Sequence, residues 1–257
     1  MEESRATIDR QRHGGETPLL PMGVRRKATG IKRRMQIYVG KRPAVFFTFH
    51  RLKRNPLAVQ PTTQLVIEGF PRSANTFSVW AFRQAQREDV RLAHHLHYPA
   101  QVIRAAQWQI PILVLIRKPE DAVISLIMRR PLLPVDQALR HYISFYRIAA
   151  KYRDAFVLGR FEEVTGDYGA VIERINDKFA TQFSLFDHTE ENVERVYSRI
   201  EERHRAQYRE KISEARVARP SATKEEMKRR VRPGLEAPKQ RKLLAEAVAL
   251  YNYLTTG

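Results

Sequence analysis

The sequence predicts a three-layer α/β fold built on a central, mostly parallel sheet. Three observations carry that expectation. Short apolar runs at Leu65–Gly69, Ile112–Ile116 and Phe156–Leu158 have the length and continuity of strands covered on both faces. Each run is followed by a segment with helical spacing, so strand and helix alternate. The third is size: 257 residues that are 43% hydrophobic are enough for one substantial core. Strands that each lead into a helix bring their carboxyl ends to one edge, where folds of this class hold ligands.

The elements follow in order. Residues 1–34 read as a disordered basic tail, with Gly14-Gly15, Pro18, Pro21 and Gly23 and no sustained period. Residues 35–60 form an N-terminal arm or helix in which Val45-Phe46-Phe47-Thr48-Phe49 precedes His50-Arg51-Leu52-Lys53-Arg54. Aromatics flanked by cations suit peripheral contact with an anionic membrane, although packing against the domain is the favoured alternative. The α/β domain occupies 61–257. A strand at about 64–69 leads to a helix at about 76–88, then an extended piece near 91–97 and a helix at about 99–108. After the strand at 112–116, Pro119 opens a helix whose first turn carries Glu120 and Asp121, as the helix dipole favours. A long helix over about 135–153 follows Pro134. The strand at 156–158 precedes helices near 168–179 and 189–211. Residues 213–238, basic and holding Pro220, Pro233 and Pro238, read as a mobile loop, and a final helix over about 239–254 docks through Leu243, Leu244, Ala247, Leu250 and Leu254.

Composition narrows the function classes. The absence of cysteine excludes disulfides and thiolate metal sites and suits a reducing cytoplasm. No apolar stretch approaches the roughly 20 residues of a membrane span, so the expectation is a cytoplasmic protein with at most peripheral membrane contact. Of the net charge of +18, residues 1–60 carry +10, residues 61–200 only +2, and residues 201–257 carry +6. Cationic ends on a nearly neutral centre suit an anionic surface, a phosphorylated ligand or a nucleic acid; merely solvated tails are the alternative.

The chemistry concentrates in Glu68-Gly69-Phe70-Pro71-Arg72-Ser73-Ala74-Asn75-Thr76-Phe77. Strand, tight turn and helix start meet there. Uncapped amides, the Ser73 and Thr76 hydroxyls and the Arg72 guanidinium suit a phosphate or sulfate. No Walker A pattern is present and no lysine occupies the turn, so Arg72 supplies the cation. A plain capped helix with an exposed arginine is the structural alternative. Arg117 directly follows the strand at 112–116, with Ser125 eight residues on. A second anion site therefore falls on the same sheet edge.

The segment Gly69–Phe77 resembles the 5′-phosphosulfate loop of the sulfotransferases. Val114–Ser125, with its Arg117-to-Ser125 spacing, resembles that family's 3′-phosphate site. The resemblance spans roughly 64–180. It implies a P-loop-like fold, 3′-phosphoadenosine 5′-phosphosulfate (PAPS) as donor, no metal, and sulfuryl transfer to a hydroxyl or amine. It further implies donor binding by Arg72, Ser73, Ala74, Asn75, Thr76, Phe77, Arg117 and Ser125. His97-Tyr98-Pro99 is similar to the family's His-x-Pro, making His97 the base beside a catalytic Arg72. Phe161-Glu162-Glu163 resembles a segment whose aromatic lies near adenine. Arg232-Pro233-Gly234 looks like the late Arg-Lys-Gly that closes over the 3′-phosphate.

Departures from the family pattern are informative. Ala74 replaces a glycine, which implies a negative φ there; Phe77 replaces tryptophan as an adenine platform; His95 stands where a lysine is usual. The base alternatively is a carboxylate, with Glu68 and Glu88 as candidates. His94, His95 and His97 lack the companions of a metal site. The rival functions are an inactive nucleotide-binding protein, a binder of nucleic acid or anionic surfaces, and a kinase on a degenerate P-loop. No specific nucleic acid is expected. The acceptor is expected to be anionic, such as a glycan, glycolipid or small molecule, because the arm and the late loop are basic.

Overall fold

The computed structural model describes residues 21–208 and 222–256. Its centre is a four-stranded sheet of β1 (Leu65–Gly69), β2 (Leu92–His94), β3 (Ile112–Ile116) and β4 (Val157–Arg160). The order is β2-β1-β3-β4 and every pairing is parallel, with Val66 opposite Ile112 and Leu113 opposite Val157.

Alternation along the strands divides the core in two. Leu65, Ile67, Leu113, Leu115 and Val157 pack one way, against α3 (Asn75–Ala85), α8 (Tyr168–Phe179) and α9 (Glu190–Tyr208). Val66, Val114, Ile116 and Leu158 face the other way, against α4 (Pro99–Gln107), α5 (Pro119–Arg129), α6 (Val135–Ala149) and α11 (Arg241–Thr256). Helices on both faces complete the three layers. The short α7 (Phe161–Gly166) follows β4, and α6 continues into a 3₁₀ stretch at Ala150–Ala155.

Two segments differ from the sequence expectation. Residues 22–34, assigned to a disordered tail, belong to α1 (Met22–Gly40), which is followed by α2 (Pro43–Leu52). The buried positions of α1 are Gly30, Arg33, Ile37 and Gly40. The face that docks mixes glycines and an arginine, so no apolar period marks the buried side of this helix. Tertiary contact holds it. Gly30 lies against Pro134 and Gln137, and a Cβ at Gly40 would overlap the Tyr98 ring. Residues 1–20 lie outside the described residues.

The second difference is the late basic loop. Within it, residues 222–236 form α10 (Ala222–Glu236), even with Pro233 inside the helix, while residues 209–221 lie outside the described residues. Leu235 is buried in the core on the α5 and α11 side, an anchor that offsets the cost of an internal proline.

Candidate active site

The β1–α3 turn is built from inward-facing polar groups. Tyr146 of α6 is fully buried; its hydroxyl donates to the Leu115 carbonyl at 2.7 Å and accepts from the Phe70 N–H at 3.3 Å. Asn75 Nδ2 donates to the Phe70 carbonyl at 3.0 Å, and Ser73 Oγ lies 3.5 Å from the Tyr146 hydroxyl. Ser73 and Asn75 therefore brace the turn. The N-cap residue Ala74 makes no side-chain cap bond, which leaves the first-turn amides of α3 without a capping acceptor.

Ala74 has φ 67°, so the expectation of a negative φ is corrected: the turn needs the left-handed conformation and the Cβ is accommodated with strain. Arg72 (φ 76°), His95 (φ 62°) and His97 (φ 60°) are left-handed as well. Four such residues in two facing loops concentrate backbone strain at one place, costing of order 1–3 kcal/mol each.

The two arginines meet. Arg72 Nε donates to Ser125 Oγ at 2.9 Å, and Arg117 Nη1 donates to the Arg72 carbonyl at 3.2 Å. Burial first, and then the charges of Arg129 and Arg117, bring the Arg72 guanidinium down to about 10. Its hydrogen-bond partner is a neutral hydroxyl and the charges acting on it are cations. Arg117 is also lowered by burial, partly offset by Asp121, Glu162 and Glu225. Its guanidinium lies 3.8 Å above the Phe161 ring, and its buried Nε has no hydrogen-bond partner among the described residues.

Beside this turn, the end of β2 and the β2–α4 loop carry His94, His95 and His97. His97 Nδ1 lies 2.8 Å from the Gly69 carbonyl. A carbonyl only accepts, so Nδ1 holds the proton and Nε2 keeps its lone pair. Burial pushes His97 well below the ordinary imidazole value, helped by His95 and opposed by the Gly69 bond. His97 is therefore neutral at physiological pH. His95 Nε2 is 3.1 Å from Thr76 Oγ1, and the Nδ1 atoms of His94 and His95 are 2.7 Å apart. Burial above all brings His94 to about 3 and His95 to about 4. The His141 Nε2–H donates to the His97 carbonyl at 2.9 Å. Among the described residues, no group of His, Cys, Asp or Glu is placed to hold a metal ion.

Glu68, a candidate base from the sequence, has a positioning role. It is fully buried, and its carboxylate accepts from the N–H groups of Leu96 and His97, both at 2.9 Å, and from Gln101 Nε2 at 3.4 Å. Its Oε2 lies 3.8 Å from His97 Nδ1. Glu68 thus holds the backbone of the histidine loop. Burial raises its carboxyl to about 7 against the pull of those N–H donors. The available signal was one acid inside an apolar strand. Tyr146 gave no such signal, because it sits on an ordinary apolar helix face. Glu88 is exposed beyond the end of α3.

Two further expectations change, at Phe77 and at Arg232 with Gly234. Phe77 is only 3% exposed, its ring enclosed by Tyr168, Phe186, His188 and Tyr197, so it serves the core and offers no adenine platform. Phe161 opens α7 and lies beneath Arg117. Arg232 and Gly234 are on α10 and not in a loop; Arg232 is 3.5 Å from Glu236 one turn on, an exposed pair of little energetic weight.

No family model matches the chain, and no curated protein sequence matches it. Among solved structures, the chain is similar to mouse sulfotransferase SULT7A1 complexed with PAP. Identity is 13%, the match covers 77% of this chain and 94% of that one, and the TM-score is 0.41.

Proposed function

We propose that the protein transfers a sulfuryl group from PAPS to a hydroxyl or amine acceptor. The observation that carries the proposal is the Arg72–Ser125–Arg117 cluster. A half-buried guanidinium bonded to a neutral hydroxyl, repelled by two other arginines and set beside an uncapped helix start suits an anionic ligand. The unpartnered Arg117 Nε, one strand away, supplies a second donor. The donor and its acceptor would supply the in-line displacement at sulfur, with charge growing on the bridging oxygen of the phosphate.

The chain's own groups have defined tasks. Arg72, the amides of Asn75 and Thr76, and the Thr76 hydroxyl stabilise the developing charge. Preorganised donors of this kind are each worth about 10²–10³ in rate. Arg117 and Ser125 hold the 3′-phosphate, and Ser125 gives up its bond from Arg72 as the arginine turns to the 5′ side. His97 Nε2 accepts the proton of the acceptor, a task its neutral state permits and that is worth about 10²–10⁴-fold. Glu68 keeps that imidazole in place through the backbone. The acceptor is proposed to be an anionic glycan, glycolipid or small molecule, in keeping with the basic surface of α1, α2 and α10.

Calorimetric titration with 3′-phosphoadenosine 5′-phosphate (PAP), with adenosine 5′-phosphate as control, tests the reading. Tight binding of the first alone, weakened at least about tenfold in Arg72→Met and in Arg117→Met, is the expected result. Equal affinity for the two nucleotides, or none for either, refutes it. Intact PAP binding and intact turnover in His97→Ala would instead refute the base assignment alone.

A further inference from the structure

We propose that α1 and α2 form a surface that docks onto an anionic lipid bilayer. The basis is independent of the nucleotide site. On α1, Val24, Ala28, Ile31, Met35 and Tyr38 recur at intervals of four and three residues, which places them on one helical stripe. All five are exposed: Val24 is 46% accessible, Ile31 59%, Met35 66% and Tyr38 59%. The opposite stripe, Gly30, Arg33, Ile37 and Gly40, is the one buried against the domain. An apolar stripe that faces away from its own protein has no folding purpose.

The following helix repeats the pattern. Phe46 packs inward, whereas Val45 (50% accessible), Phe49 (48%) and Leu52 (80%) share the outward stripe. Cations frame both helices. Residues 21–60 contain eleven Lys and Arg and no Asp or Glu. Of these Arg33 alone is buried, Arg25 is intermediate, and Lys27, Lys32 and Arg34 border the α1 stripe. Two cations lie directly on the exposed aromatics: Arg42 is 3.6 Å from the Tyr38 ring centre and Lys53 is 4.3 Å from that of Phe49.

Apolar side chains flanked by cations on a helix too polar to cross a membrane are the composition of an interfacial helix. Among the described residues, no helix is long and apolar enough to span a bilayer. A second copy of the chain is disfavoured as occupant, since two such cationic faces would repel. A nucleic acid would use the cations but leave Ile31, Met35 and Leu52 without a partner. An anionic bilayer satisfies both. The inner face of α1 also reaches the candidate active site, because Arg33 Nη1 donates to the Tyr98 hydroxyl at 3.4 Å, and Tyr98 follows His97.

The test is co-sedimentation of the full chain with phosphatidylcholine vesicles and with phosphatidylcholine–phosphatidylserine vesicles, at low and high salt. Binding is expected to the second only and to weaken with salt. Ile31→Glu combined with Met35→Glu is expected to lower partitioning at least about tenfold, with an unchanged unfolding midpoint because both side chains are exposed. Lys27→Glu combined with Arg34→Glu is expected to lower it about fivefold per cation. Failure to bind phosphatidylserine vesicles overturns the proposal. So does binding that survives Ile31→Glu and Met35→Glu while charge reversal abolishes it, which would indicate a polyanion such as nucleic acid. Self-association that Met35→Glu removes, without vesicle binding, overturns it in favour of a second copy. None of these outcomes depends on PAP affinity.

Discussion

Replacing Tyr146 with phenylalanine isolates what holds the β1–α3 turn. The ring is retained, with its contacts to Tyr142 at 4.5 Å and Phe145 at 5.1 Å, so no cavity forms. What is lost is one hydroxyl in a fully buried position. The Phe70 N–H loses the acceptor at 3.3 Å and the Leu115 carbonyl loses the donor at 2.7 Å. A buried donor left unpaired costs about 1–3 kcal/mol. The carbonyl, with a second lone pair available to the sheet, costs less. Together these give a destabilisation of about 2–4 kcal/mol, or about 5–15 °C in the thermal midpoint for a domain of this size. Burial holds the phenol above its ordinary value, so it is a neutral donor throughout the working range and the loss is independent of pH near neutrality. Tyr142→Phe is the control, since among the described residues its hydroxyl bonds to the Arg117 carbonyl alone, at 2.7 Å, and a cost of about 1 kcal/mol is expected. Urea unfolding with linear extrapolation measures both. Equal costs for the two variants, or less than about 1 kcal/mol for Tyr146→Phe, would refute the claim that this hydroxyl braces the turn.

Three further outcomes follow from the same geometry. Gly69→Ala drives a Cβ into the Leu115 backbone oxygen across the β1–β3 pairing, where nothing flexible can yield; a loss of at least about 3 kcal/mol in urea unfolding is expected. Ala74→Gly removes a left-handed Cβ at φ 67°. Relief of about 1–2 kcal/mol, offset by the greater freedom of glycine in the unfolded chain, leaves a gain of up to about 1 kcal/mol, and a measured loss would contradict the left-handed turn. Stability against pH should be set by His94, His95, His97 and His141, all lowered by burial. On unfolding these groups take up protons below about 6.5, so stability falls as pH drops from there toward their folded values, by about 1.4 kcal/mol per proton and pH unit. Glu68, raised to about 7, acts oppositely: its contribution is full below its ordinary 4.5 and is lost as pH rises through 7. Four groups against one make acid the destabilising direction below neutrality, and a midpoint that rises between pH 6.5 and pH 5 would contradict the buried neutral histidines.

Much of this architecture was legible in the chain itself. Apolar runs at 65–69 and 112–116, buried on both faces, announced parallel strands because only strands covered by helices on both sides lack alternation. Arg72 and Arg117 at the ends of adjacent strands had to share an edge, since parallel pairing admits no other placement. Local pattern does not register which groups come together from distant segments. Glu68 binding the histidine loop, Tyr146 reaching the β1–α3 turn, Phe77 turning into the core and Gly40 admitting α1 against Tyr98 each join residues far apart in sequence. Periodicity in sequence reports which face of an element is buried. The partner at that face is chosen by packing, and packing here recruited glycines, an arginine and a lone buried acid that carry no periodic signature.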